Sequence, residues 1–230
     1  MDDWRLTSEE WSAIRLSLQV ALTATIVSLP VGIGLGYLLA RRRFWGKGFV
    51  EAFLSLPLVL PPVVTGYLLL VLLGRRGWIG SLLLGWFGVQ LVFTWKAAAL
   101  ASGVMSFPLM VRAIRAAFAE VDRRLETAAR TLGAGRLETF VRISVPLARR
   151  GILAGAVLAF ARSIGEFGAT VMIAGNLPGE TQTIPLFIYT EANVPGGIAR
   201  CHRLVIACVV IAILALGTSE YLDRRRSEGE

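Results

Sequence analysis

The sequence predicts an all-α integral membrane protein with five transmembrane helices and a helix-turn-helix loop on its cytoplasmic side. Three observations carry that prediction. Of the 230 residues, 55% are hydrophobic and 17% charged, with a mean hydropathy of +0.63; a soluble domain carries about 25% charged residues. The apolar residues come in runs long enough to cross a bilayer, since roughly 20 residues rising about 1.5 Å each span its hydrocarbon. The runs are continuous rather than alternating, which excludes barrel strands and leaves helices, the other spanning structure that satisfies its own backbone. The chain reads as a single domain over residues 1–230, with a core at about 12–222 and no room for a separate soluble unit.

The first span is read from Leu16 to Ala40 and the second from Ala52 to Leu73. The third runs Leu91 to Val111, the fourth Ile152 to Gly175 and the fifth Leu204 to Ser219. The stretch Trp78 to Val89 is apolar but short, and it holds Gly80, Gly85 and Gly88. It is read as interfacial or re-entrant, with a sixth span as the alternative. Trp4, Trp11, Trp45, Trp78, Trp86 and Trp95 fall near span ends or in loops, where the headgroup level accommodates both ring and N–H. The chain starts Met1, Asp2, Asp3, an acidic beginning that predicts no cleaved signal peptide.

Orientation follows from the basic residues. Arg41, Arg42, Arg43 and Lys47, the loop Arg112 to Arg150, and the tail Arg224, Arg225 and Arg226 together hold most of the 24 Lys and Arg residues on one side. That side is predicted to be cytoplasmic, with the N-terminus periplasmic and the C-terminus cytoplasmic. Arg75 and Arg76 run against the rule. The net charge of +8 would suggest nucleic acid in a soluble chain; beside apolar runs it is a topology signal, so no nucleic-acid partner is expected. Cys201, Cys208 and His202 make up no metal-ligand set or disulfide framework.

The cytoplasmic loop, about residues 112–150, carries the chemistry. Leu125, Ala128, Ala129 and Leu132 recur at helical spacing. Asp122 is placed to cap that helix. Gly133 and Gly135 are expected to give a bend with positive φ. A second helix is predicted from Arg136, with Leu137, Phe140 and Val141 on one face and Pro146 where the chain re-enters the membrane. A basic loop lying on anionic lipid explains the arginines. It does not explain the glycines or so small an apolar face, which suits close approach to a protein partner.

This loop resembles that of importer permeases of the ATP-binding-cassette class, whose pattern is E-A-A, three residues, G, nine residues, I-x-L-P. Ala128, Ala129, Gly133, Ile143 and Pro146 match its spacing. Thr127 stands where the glutamate belongs, Glu126 lies one residue earlier, and Val145 replaces leucine. The stretches LPLVLPPVVTGYLLLVLLGRRGWIG and FARSIGEFGATVMIAGNLPGETQTIPLFIYT are similar to the permeases for tetrahedral oxyanions, molybdate permeases above all. The resemblance implies a permease carrying molybdate or tungstate across a bacterial inner membrane, as a homodimer in membrane lipid. It also implies separate ATPase subunits that use ATP and Mg, a periplasmic molybdate-binding protein, and a coupling role for the loop residues Glu126 to Pro146.

Arg162 and Glu166 fall mid-span, four residues apart, and are expected to share a helix face and pair as a structural contact or a gate. Pro57, Pro61, Pro62 and Pro108 predict kinks, tolerated at membrane depth where they line protein or a cavity. Pro61, Pro62, Thr65 and Ser106 are the candidates for lining a pathway. A membrane enzyme is disfavoured, since no H-E-x-x-H or G-x-S-x-G occurs. No G-x-x-x-x-G-K-[S/T] occurs either, so no cofactor is expected on this chain and ATP must be hydrolysed on another. The alternatives are a sulfate permease and an ion-gradient transporter; the latter usually shows repeated halves, which this sequence lacks.

Overall fold

The computed structural model describes residues 6–227, without the side-chain surroundings of 199, 200, 215, 216 and 218–227. All regular structure among the described residues is helical. Helix α1, Ser8–Arg41, opens with a capping box: Thr7 Oγ1 accepts from the Glu10 N–H at 3.2 Å, and Glu10 Oε2 accepts from the Thr7 N–H at 2.7 Å. The reciprocal bonds satisfy two orphan donors of the first turn.

The expected second span is a broken one. Helices α2, Lys47–Val59, and α3, Pro62–Leu73, meet at an angle of 112°. Pro61 and Pro62 cause the break. Neither has an N–H to continue α2, and each forces its predecessor out of the helical region; Leu60 sits at φ −70, ψ 141 and Pro61 at φ −53, ψ 135. Pro57, by contrast, is accommodated inside α2. Helix α4, Trp78–Phe87, is 10 residues long, or roughly 15 Å, about half of a hydrocarbon core. That length falls short of a full crossing, which favours the interfacial or re-entrant reading over a sixth span.

Helix α5, Trp95–Glu120, overruns the expected third span by two turns at its C-terminal end, so the loop is shorter than residues 112–150. Three helices follow: α6 (Arg123–Thr131), α7 (Arg136–Thr139) and α8 (Val145–Ile164), with a π turn at Phe140–Ser144 between the last two. From Arg136 to Ile164 the helix is unbroken. The loop's second helix is therefore the start of a span, and Pro146 does not separate the two. The fourth span stops at Ile164 rather than Gly175. A break at residues 165–167 precedes the short α9, Gly168–Ala174. Then come α10, Ile184–Ala192, and α11, Ile198–Ser227.

Three of these helices, α1, α5 and the α7–α8 rod, are long and apolar enough to span, and α2–α3 adds a fourth if the bent pair counts as one. The expected fifth span falls on α11, described as apolar over Cys201–Leu214. The basic side chains of Arg224, Arg225 and Arg226 lie outside the described residues.

Glycines set how closely the helices approach. A Cβ on Gly36 would lie 2.7 Å from Ile114 Cγ2, and one on Gly32 2.9 Å from Met110 Sδ, so α1 offers bare backbone to the side chains of α5. A Cβ on Gly66 would lie 2.6 Å from the Ala169 carbonyl oxygen, and one on Gly168 2.9 Å from Pro62 Cβ, which locks α3 onto α9. Such close approach is how helices gain contact energy in lipid, where burial of apolar surface supplies no drive. At the other end of α1, buried Glu10 pairs with Arg203 of α11 at 3.0 Å, and Ser17 Oγ accepts from the Ile184 N–H at 2.8 Å. Helix α2 has no buried residue. It is tethered by Glu51–Arg115 at 2.8 Å, by Arg112 donating to Ser55 at 2.9 Å, and by Lys47 donating to the Leu39 carbonyl at 2.7 Å.

Replacing Gly36 with Val is expected to destabilise the fold by about 1–3 kcal/mol through overpacking against Ile114. Gly34→Ala, with nothing within 4 Å of the added methyl, is the matched control and should be neutral or slightly stabilising. Thermal unfolding of the purified protein in detergent compares the two.

Candidate coupling site and membrane breaks

Asp122 caps α6, its carboxylate accepting from the Arg124 N–H at 2.8 Å. The helix ends at Gly133, φ +93, in a Schellman turn: the Gly133 N–H donates to the Arg130 carbonyl and the Ala134 N–H to the Ala129 carbonyl, each at 3.0 Å. Gly135 departs from expectation. Its φ is −67 and it is the extended N-cap of α7, so the bend needs one left-handed glycine rather than two.

The loop presents two different faces. Outward, Leu132 is 89% exposed and Leu137 75%, and Leu125, Ala128 and Val141 are exposed beside them. Ala129 and Ile143 are half-buried at its edge, and Pro146 is exposed. Inward, Glu126 is buried. Its Oε1 lies 3.1 Å from Arg41 Nε and accepts from Ser144 Oγ at 2.8 Å. Arg41 also donates through Nη2 to the Val121 carbonyl at 2.6 Å. Below this polar joint, Tyr37, Phe118 and Phe140 stack edge to face, with Tyr37 centroids 5.3 Å and 4.8 Å from the other two. The acid that the fold buries is thus Glu126, one place from the family's register, and Thr127 bonds back to the Arg123 carbonyl. Sequence reasoning missed Arg41, which looked like one of three equivalent loop arginines, and Ser144. The π turn that aims Ser144 carries no simple sequence signal.

Arg162 and Glu166 do pair, at 2.9 Å, but not on one helix face. Helix α8 has ended before Glu166, and the pair bridges the break. Glu166 Oε2 takes the guanidinium while Oε1 accepts from the Ala169 N–H of α9 at 3.0 Å, and the Glu166 N–H donates to the Ser163 carbonyl at 3.2 Å. One carboxylate thus serves both ends of an interrupted helix. Glu166's side chain is 2% exposed and Arg162's 32%, so the acid is committed to the fold and the base reaches an open surface.

Among the pathway candidates, Pro61 and Pro62 are exposed at the α2–α3 break. Thr65 is buried against α9 with no hydrogen-bond partner for its hydroxyl among the described residues. Ser106 is fully buried in the α5–α8 seam, where Ser163 Oγ donates to it at 3.1 Å. The structure does not bring Ser106 together with the proline break.

Glu166→Ala strips both a buried ion-pair partner and the α9 cap, and is expected to cost about 3–5 kcal/mol. Arg162→Met leaves the cap intact and should cost clearly less. Equal losses, measured as folded yield and thermal midpoint in detergent, would contradict the unequal roles.

Comparison with known proteins places this architecture. The chain is 55% identical over 219 residues to the molybdenum transport system permease protein ModB of Escherichia coli (strain K12), covering 95% of this chain and 96% of that one. It is 50% identical over 216 residues to the protein of the same name from Haemophilus influenzae, covering 94% of each. The sulfate transport system permease protein CysW of Synechocystis is 34% identical over 215 residues, covering 93% of this chain and 77% of that one. Among solved structures, an inward-facing MetNI methionine ABC transporter superposes with a TM-score of 0.66 at 16% identity over 98% of this chain and 99% of the other. A bacterial alginate ABC transporter in complex with a pentasaccharide-bound periplasmic protein gives 0.67 at 20% identity, over 95% and 78%. At these identities the structures speak for the fold. Residues 32–228 match the family model described as the inner membrane component of binding-protein-dependent transport systems, and the chain belongs to that family.

Proposed function

We propose that this chain is the membrane-spanning permease subunit of an ATP-driven importer for molybdate, working as a homodimer in a bacterial inner membrane. The observation that carries the reading is the two-faced loop. Its acid is turned inward and bound, while Leu132, Leu137 and Val141 are left in the open. Large apolar side chains at that exposure, gathered at the turn between α6 and the root of the α7–α8 rod, suit a protein partner. The match over nearly the whole chain to permeases named for molybdenum transport supports the cargo. Sulfate permeases match less closely and cover less of their own length.

The partner is an ATPase subunit, which supplies the ATP and Mg chemistry that this chain has no motif for. Its groove receives α6. On the opposite, periplasmic side a molybdate-binding protein docks and delivers the oxyanion between the two copies. Pro61 and Pro62 expose a backbone break at membrane depth that offers a dianion weak, neutral contacts. Weak contact suits a pathway that must release its cargo. Selection among tetrahedral dianions then falls to the binding protein. Arg162, half-buried and held by Glu166, is suited to guard the route rather than to hold the anion, because a buried bidentate clamp would retain it. The concentration of basic residues in Arg41 to Lys47 and α6 supports a cytoplasmic position for both.

Reconstituted in liposomes with ATP inside and the binding protein outside, the assembled complex should accumulate molybdate, and purified alone the subunit should hydrolyse no ATP. Accumulation driven by a proton or sodium gradient without ATP would overturn the reading. Gly133→Val should insert normally but lose uptake and ATPase association, since a left-handed φ costs a non-glycine residue about 1–2 kcal/mol. Full uptake by that variant would count against the coupling role.

A further inference from the structure

We propose that Arg41 is a positioning residue that makes α1 and the coupling helix α6 move as one body. The inference rests on the importer reading and assigns the route by which α6 reaches the spans. Among the described residues of α6, Glu126 is the only buried one. Every other side chain of that helix faces solvent or lies at the edge. A push on α6 from a docked partner therefore enters the membrane part through the chain at each end, through its packing on α7 and the π turn, and through the one buried polar contact, the Glu126 carboxylate.

That carboxylate is held by α1 and by the π turn. Arg41 is the last residue of α1, and its side chain is 6% exposed. Its Nε faces Glu126 at 3.1 Å while Nη2 donates to the Val121 carbonyl at 2.6 Å. Val121 is the C-cap of α5, whose carbonyl has no partner within its own helix. Ser144 of the π turn completes the joint on Glu126 at 2.8 Å. The ends of α1 and α5, the helix α6 and the root of α8 thus meet on two side chains. Arginine suits the joint because one planar group pairs with the Glu126 carboxylate by charge and donates to the Val121 carbonyl on a second element; a lysine ammonium is a single point of contact. Burial makes the joint stiff, since a released Glu126 would be left charged and unpaired away from water. From Arg41 the displacement continues up α1, which Gly32 and Gly36 press against α5.

The test uses the assembled transporter in liposomes, with Cys201 and Cys208 replaced by Ala. Spin labels are placed at Arg43→Cys beyond the end of α1 and Thr131→Cys on α6, in a labelled copy diluted with unlabelled. In the otherwise native protein, the distance between labels should be the same without nucleotide and with ATP. In Arg41→Met it should shift or broaden between states, and the ratio of molybdate moved to ATP hydrolysed should fall about tenfold. Arg41→Lys should fall between the two. Should Arg41→Met fail to assemble, Ser144→Ala, which keeps the ion pair and loosens Glu126, must show a smaller shift in the same direction. A native label distance that changes with nucleotide, or full coupling in Arg41→Met, overturns the proposal. Such a result in a complex that still imports molybdate with ATP leaves the importer reading standing; loss of ATP-dependent import in the native complex would refute that reading instead.

Discussion

The structure depends on one constraint: in hydrocarbon, each backbone polar group needs a partner inside the protein, and helices gain little from burying apolar surface against each other. Contact must come from close approach. Gly32 and Gly36 let α1 lie on α5, and Gly66 and Gly168 let α3 lie on α9, at distances where a methyl group would collide with a backbone atom or a committed side chain. These approaches fix how α1 lies on α5 and α3 on α9, while Pro61 and Pro62 set the first break and Glu126 attaches the cytoplasmic loop.

Both breaks are handled by the same logic with different chemistry. At Pro61–Pro62 the missing donors belong to prolines, so little is left unsatisfied, and the Thr65 N–H recovers the Pro61 carbonyl at 3.2 Å. At residues 165–167 ordinary donors are freed, and a charged side chain is brought in to accept one of them. An acid at that depth is expensive alone, which is why Arg162 lies within reach. The pair is first a repair, and what further function it has rests on the half-buried Arg162 guanidinium.

The class, the spans α1 and α5, the Asp122 cap and the Gly133 turn were legible because each rests on a local rule: run length, a capping side chain, a glycine where φ must be positive. The breaks were half-legible. The prolines announced the first, but Gly165 to Phe167 carries no proline, and the apolar run hid the second. Helix ends slipped because α5 and the α7–α8 rod continue through charged residues such as Arg112, Arg115, Arg149 and Arg150, where hydropathy no longer marks them. Arg41 was invisible among Arg42 and Arg43, since its role is defined by Glu126 and Val121, some 80 residues away in sequence. Contacts of that range are set by packing, which a single sequence does not display.

The tertiary bonds of the C-terminal part run in one direction along the chain. Gly168 lies against Pro62 and Val63, the Ile173 carbonyl accepts from the Phe93 N–H, the Ile184 N–H donates to Ser17, and Arg203 reaches back to Glu10. In each case the earlier residue has left the ribosome before the later one is made, and synthesis proceeds at about 5–20 residues per second. The short helices α9 and α10, which are poor candidates for independent insertion, thus enter a membrane in which their acceptors and donors already stand. Vectorial synthesis lets the first half serve as a template on which the second half is completed.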